Sequence, residues 1–133
     1  MNVKTIYKGD LRTEATHLQS NTTITTDAPT DNHGRGESFS PTDLLATALG
    51  SCMLTIMGIT AQTHSMDIEG TELHITKIMA ADPRRVGEIV VEFNFPKKGY
   101  SDKEQKMLRA AALTCPVAQS LSEKLVQTII FNF

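Results

Sequence analysis

Two cysteines are the side chains best suited to chemistry in this sequence. Cys52 lies in the nearly uncharged run "LLATALGSCMLTIMGI" (44–59), and Cys115 follows far downstream in "LTCPVAQSL". Free cysteine often serves as a small buried hydrophobe, so core filling is one reading of both. The other is a redox pair, which needs a thiolate and therefore a neighbour that favours negative charge. Cys52 reads as mid-helical, where the helix dipole gives little help. Cys115 precedes Pro116, a residue favoured at the first helical position, so Cys115 is expected at an N-cap where the dipole lowers its pKa. Local physics thus favours Cys115 as the nucleophile, and the sequence by itself leaves the choice open.

Other chemistries lack their signatures. There is no CxxC, and His17, His33, His64 and His74 are scattered without HxxxH spacing, so no metal site is expected. Neither a P-loop nor GxGxxG is present, and no cofactor is expected; the glycine-rich "HGRGES" reads as a turn. No GxSxG elbow marks a serine hydrolase.

The elements that must position the thiols follow from pattern. "NVKTIYKG", "LRTEATHLQS" and "NTTITT" read as three strands, with a turn at Gly9-Asp10, and "DAPTDNHGRGES" (27–38) as a long loop of the kind that often carries function. In "FSPTD", Ser40 suits the N-cap, Pro41 the first helical position and Asp43 the third. The apolar positions 45, 48, 49, 52, 53, 56 and 59 then keep helical spacing, and the remaining face is apolar or small, so this helix is expected to be covered on more than one side. "TELHITKIMA" and "GEIVVEFNF", joined by "ADPRRVG", read as a hairpin. "SDKEQKMLRAAAL" opens with Ser101 and Glu104 at capping-box spacing, "PVAQSLSEKL" is a short further helix, and "VQTIIFNF" is a last strand.

The expected fold is α+β, one domain over residues 1–133, with antiparallel strands around a long buried central helix in the order βββ-α-ββ-α(α)-β. A helix this apolar needs more cover than one small sheet provides, which suggests a homodimer. The chain has 133 residues, of which 40% are hydrophobic and 21% charged, and a formal net charge of -2. That balance gives no electrostatic case for binding nucleic acid or an anionic membrane. The start "MNVKTIYKGD" lacks the apolar core of a signal peptide, and residues 44–59 fall short of the roughly 20 a membrane span needs. The expected compartment is the cytoplasm, where a permanent structural disulfide is disfavoured.

"SPTDLLATALGSC" followed by "TCPVAQSL", together with the "YKGDLRTEA" opening and the element order, resembles the OsmC/Ohr family over nearly the whole chain. The resemblance implies intertwined homodimers with two sites near the subunit interface, which reduce peroxides, organic hydroperoxides especially and hydrogen peroxide among them, through a cysteine pair. By position it makes Cys52 the peroxide-attacking thiol and Cys115 the resolving thiol, reversing the preference of local helix physics. It also implies a dithiol reductant such as a dihydrolipoyl protein, and an activating arginine from the amino-terminal strands. Arg12 is the first choice and Arg35, in the long loop, the second. In the family's enzymes a glutamate directly after the helix-starting proline holds that arginine; here Thr42 stands there, with Asp43 one residue on and Glu37 in the loop. One residue along a helix is a rotation of about 100° and aspartate is a methylene shorter, so Asp43 is not a simple replacement and reads first as the helix cap, while Glu37 could reach inward from the loop. Thr42 is the feature that favours the alternative reading, a non-catalytic OsmC-fold protein holding an apolar small molecule, its cysteines inert.

Overall fold

The computed structural model describes residues 1–133. They form two compact units, Met1–Leu45 and Ala46–Phe133.

In the first unit β1 (Val3–Gly9), β2 (Arg12–His17) and β3 (Thr23–Asp27) make an antiparallel sheet in the order β1-β2-β3. The hairpin between β1 and β2 turns through Asp10 and Leu11, whose φ values of 49° and 60° are both left-handed. Two consecutive left-handed residues are what a tight hairpin of this twist requires. The turn delivers Arg12 as the first residue of β2, directly opposite Asp27 on β3. The segment after β3 folds back on itself around a single 3₁₀ turn at Thr30–Asn32, closed by bonds from Gly34 N–H to Pro29 O (3.0 Å) and Gly36 N–H to Ala28 O (3.3 Å). It then enters α1 (Pro41–Thr63) through a reciprocal cap: Asp43 N–H donates to Ser40 Oγ (3.1 Å) and Ser40 N–H to Asp43 Oδ2 (2.9 Å). The sheet itself is thinly covered, and every residue of β1 before Gly9 is exposed.

The second unit holds the core. β4 (Glu72–Ala80), β5 (Arg85–Asn94) and β6 (Val126–Asn132) form a sheet with β5 in the middle, antiparallel to β4 and parallel to β6. The parallel pairing departs from the all-antiparallel expectation. Parallel neighbours require a crossover, and here it is helical: α2 (Asp102–Leu113) and α3 (Pro116–Ser120). Leu49, Met53 and Met57 of α1, Ile89, Val91 and Phe93 of β5, and Leu108 of α2 are all fully buried together. At Gly50 α1 runs close to β4, where a Cβ would lie 2.5 Å from Ile75 Cδ1 and 3.0 Å from Leu73 Cδ2. α2 begins at the capping box of Ser101 and Glu104.

With 23 residues, α1 is longer than the apolar run from which it was read, because Ala61, Gln62 and Thr63 continue it. By length and composition it passes the test for a membrane-spanning helix. Its buried stripe nevertheless forms the core of the second unit. The chain covers one side of this helix: Met53 and Met57 are buried, while Ser51, Thr55 and Ile59 are exposed.

Candidate thiol and arginine sites

Both cysteines are in the second unit, and both are free thiols. Cys52 comes from the middle of α1, half-buried between exposed Ser51 and buried Met53. Cys115 sits at the junction of α2 and α3, fully buried. It is the N-cap of α3, followed by Pro116, and its Sγ accepts a hydrogen bond from Ala118 N–H at 3.2 Å. The fold places the two thiols near enough for Cys52 to act on Cys115.

The acidity expected of Cys115 is reversed. Burial pushes its thiol up, and the hydrogen bond and charge of Cys52 add to that. The N–H groups of Ala118 and Val117 oppose the shift without overcoming it. A helix of five residues offers a weak dipole, whereas a sulfur shut away from water bears the full cost of losing solvation. Cys115 is therefore held as a neutral thiol near Cys52.

The arginine cluster belongs to the first unit. Arg12 Nε donates to Asp27 Oδ1 at 2.7 Å and Nη2 to Asp27 Oδ2 at 2.8 Å, a two-pronged pair across the β2–β3 ladder. Nη2 also donates to Glu37 Oε2 at 3.1 Å. The Asp27 side chain has no exposed surface, against 67% for Glu37. The hydrogen bond from Arg12 is the main cause holding the Asp27 carboxyl below its ordinary range, against the opposing pull of burial. The bond to Asp27 likewise raises Arg12 further above an already high value.

The remaining residues singled out from the sequence have their own partners. Arg35 Nη2 pairs with Asp10 Oδ2 at 2.8 Å, fastening the loop to the β1–β2 turn. Asp43 closes the α1 cap, and Thr42 Oγ1 lies 3.1 Å from Ser40 Oγ. Glu37 and Arg12 are brought together; Thr42 and Asp43 are gathered with Ser40 at the helix start. Asp27 is the residue that sequence reasoning passed over. It stands in "TTDAP", where an aspartate before Ala-Pro reads as a loop opening. Extending the alternation of "NTTITT" by one residue would have placed it in the strand, on the face that Arg12 shares. No group of three or more His, Cys, Asp or Glu is placed to hold a metal ion.

Comparison with known proteins finds the same fold. A structure from Psychrobacter arcticus 273-4, named for the osmotic stress induced and detoxification response, is 55% identical and superposes with a TM-score of 0.95, covering 99% of this chain and 96% of that one. An organic hydroperoxide resistance protein OsmC from Legionella pneumophila shares the fold at 15% identity, with a TM-score of 0.77 and coverage of 98% and 95%. An organic hydroperoxide resistance protein from Vibrio cholerae with captopril bound in one of its active sites does so at 10% identity, TM-score 0.76, with coverage of 99% and 92%. Among curated proteins there is no match. Residues 34–129 match the family described as OsmC-like protein, and with that span and the Psychrobacter relative the chain belongs to the OsmC-like family.

Proposed function

We propose that the chain is a thiol-dependent peroxidase that reduces organic hydroperoxides, with Cys52 as the attacking thiol and Cys115 as the resolving one. The observation that carries this reading is that two distant free cysteines come together in one unit, Cys115 buried at the α3 N-cap near half-buried Cys52, with burial pushing the Cys115 thiol up. A resolving cysteine benefits from that state, because it must not compete for peroxide and has a proton to give.

The Cys52 thiolate attacks the outer oxygen of the hydroperoxide. The O–O bond breaks, the alkoxide takes a proton and leaves as the alcohol, and Cys52 becomes a sulfenic acid. The Cys115 sulfur then displaces its oxygen as water, forming the Cys52–Cys115 disulfide. A dithiol, of which a dihydrolipoyl group is one kind, reduces that bond by exchange and leaves as its own disulfide. The apolar surroundings of α1 suit a substrate with a hydrocarbon tail, at about 0.8 kcal/mol for each CH₂ removed from water. Hydrogen peroxide would follow the same steps without that gain.

Arg12 is the cation of this reading, a role resting on the family resemblance. Two carboxylates, Asp27 and Glu37, engage it where Thr42 replaces the family's glutamate, which supports this reading over inert cysteines. We take the working form to be a homodimer. In support, Val3 and Tyr7 of β1 and Ile24 of β3 lie on one face of the first sheet at 49%, 65% and 46% exposure, an apolar surface in want of cover. Cycling thiols suit a reducing compartment, the cytoplasm.

The test treats the reduced protein with cumene hydroperoxide and counts free thiols. Two thiols per chain should disappear with formation of an intramolecular disulfide. Cys52→Ser should consume no peroxide, and Cys115→Ser should stop at the sulfenic acid. Wild-type protein that keeps both thiols would remove the peroxidase reading.

A further inference from the structure

Cys115 depends for its place on α3, and α3 is too short to hold itself. A helix of five residues, Pro116–Ser120, does not persist on its own hydrogen bonds. Its last carbonyls find no partner further along, because the chain turns extended at Leu121. One of them, Ala118 O, accepts a hydrogen bond of 3.0 Å from Gln127 Nε2. The same residue donates its N–H to Cys115 Sγ at 3.2 Å. Ala118 is thus held from two sides, by the thiol at its N–H and by the sheet at its carbonyl.

Gln127 has a firm footing for this. It is the second residue of β6, paired in register with fully buried Ile89 of the central strand β5. The parallel ladder fixes its backbone, and its amide reaches back nine residues to α3. Two other side-chain bonds at α3 are local and exposed: Gln119 Nε2 donates to Leu113 O at 3.1 Å and Ser120 Oγ to Pro116 O at 2.8 Å. Neither ties the helix to the sheet. Val117 and Leu121 pack against the core, but apolar packing is non-directional and leaves the orientation of the turn to the amide.

Resting on the peroxidase reading for the role of Cys115, we propose that Gln127 is a positioning residue for that thiol: its side-chain amide fastens α3 to the sheet through Ala118 and so keeps Cys115 enclosed near Cys52.

Without that bond α3 opens more often, and each opening takes Cys115 into water and away from Cys52. A buried thiol is alkylated in proportion to its open population, and one hydrogen bond is worth about fivefold in such an equilibrium.

The test compares the reduced full chain with Gln127→Met, which keeps the reach of the side chain and loses its donor. Iodoacetamide labelling with peptide mapping should find Cys115 reacting about fivefold faster than in wild type, and Cys52 unchanged. Thr128→Val is the control. It removes the neighbouring bond from Thr128 Oγ1 to Glu88 Oε1 (2.6 Å), which does not involve α3, and should leave Cys115 at the wild-type rate. After one equivalent of cumene hydroperoxide, Gln127→Met should consume peroxide as fast as wild type. Its Cys52 sulfenic acid, trapped with dimedone, should close to the disulfide with release of water about fivefold more slowly. Cys115 labelled at the wild-type rate in Gln127→Met, or quickened equally by Thr128→Val, would overturn the proposal, as would sulfenic acid that clears at the wild-type rate. Should Gln127→Met fail to fold, Gln127→Asn replaces it: its amide is a methylene too short for Ala118, and unchanged labelling of Cys115 counts against the proposal. Wild-type protein that keeps both thiols would remove the peroxidase reading, while quickened labelling of Cys115 in Gln127→Met alone would leave the hold of Gln127 on that thiol standing.

Discussion

Gly34→Ala is a sharp test of the loop that carries Glu37. A Cβ at this position would overlap the carbonyl oxygen and carbon of Ala28 and lie 2.6 Å from its Cα. All three atoms are backbone, so no side chain can rotate aside. A Cβ would sit 1.6 Å from Ala28 O, so the loop must retreat by roughly 2 Å before ordinary van der Waals contact is restored, which is more than the bonds from Gly34 to Pro29 and from Gly36 to Ala28 can tolerate. Losing two such bonds costs about 1–3 kcal/mol. The substitution recovers about 0.4–1 kcal/mol by stiffening the unfolded chain. The net is a loss of about 1.5 kcal/mol, or about 5 °C in Tm for a chain of this size. Thermal and urea unfolding followed by circular dichroism would measure it. The loop should also stop presenting Glu37 to Arg12, so the losses in Tm caused by Gly34→Ala and Glu37→Gln should sum to more than that of the double variant. A Gly34→Ala protein that melts at or above the wild-type temperature would refute the steric reasoning.

Other outcomes follow from single features. Iodoacetamide at neutral pH should label Cys52 well before Cys115, since Cys115 is buried and its thiol is pushed up; peptide mapping that finds Cys115 labelled first would contradict this. Asp27 has a lowered pKa in the fold, so its pairing stabilises the protein above the ordinary aspartate range and the benefit fades as pH falls through the lower folded value. Urea midpoints taken from about pH 6 down to about pH 2 should show a steeper acid loss for wild type than for Asp27→Asn. Leu11 holds a left-handed φ of 60° in the β1–β2 turn, and Leu11→Gly should relieve about 1 kcal/mol of that strain and raise Tm by a few degrees; a lower Tm would show that its side chain matters more than its backbone.

The order of elements was legible because each rests on local chemistry. Ser40, Pro41 and Asp43 announce α1, Ser101 and Glu104 announce α2, and Pro116 opens α3 behind Cys115. Partnership between elements was harder to read. Nothing in "VQTIIFNF" distinguishes a parallel from an antiparallel neighbour, because the alternation of side chains is the same in both. The far end of α1 lies beyond the apolar run of 44–59, because exposed polar Gln62 and Thr63 continue the helix. The acidity of Cys115 failed for a related reason: a cap is visible in sequence, but the depth at which it is buried is set by residues far away. Asp27 escaped notice because its residue type says turn, while its partner across the ladder makes it a strand residue.

The junction that carries Cys115 lies on a bridge tied at both ends, to β5 before it and β6 after it. A thiol on a loose tail would have to search for its target, leaving the sulfenic acid open to a second peroxide meanwhile. A sulfur clamped between two anchored helices has no search to make. If the chain is the peroxidase proposed above, closure of the disulfide should keep pace with repeated turnover, and irreversible over-oxidation should be rare even when peroxide is abundant.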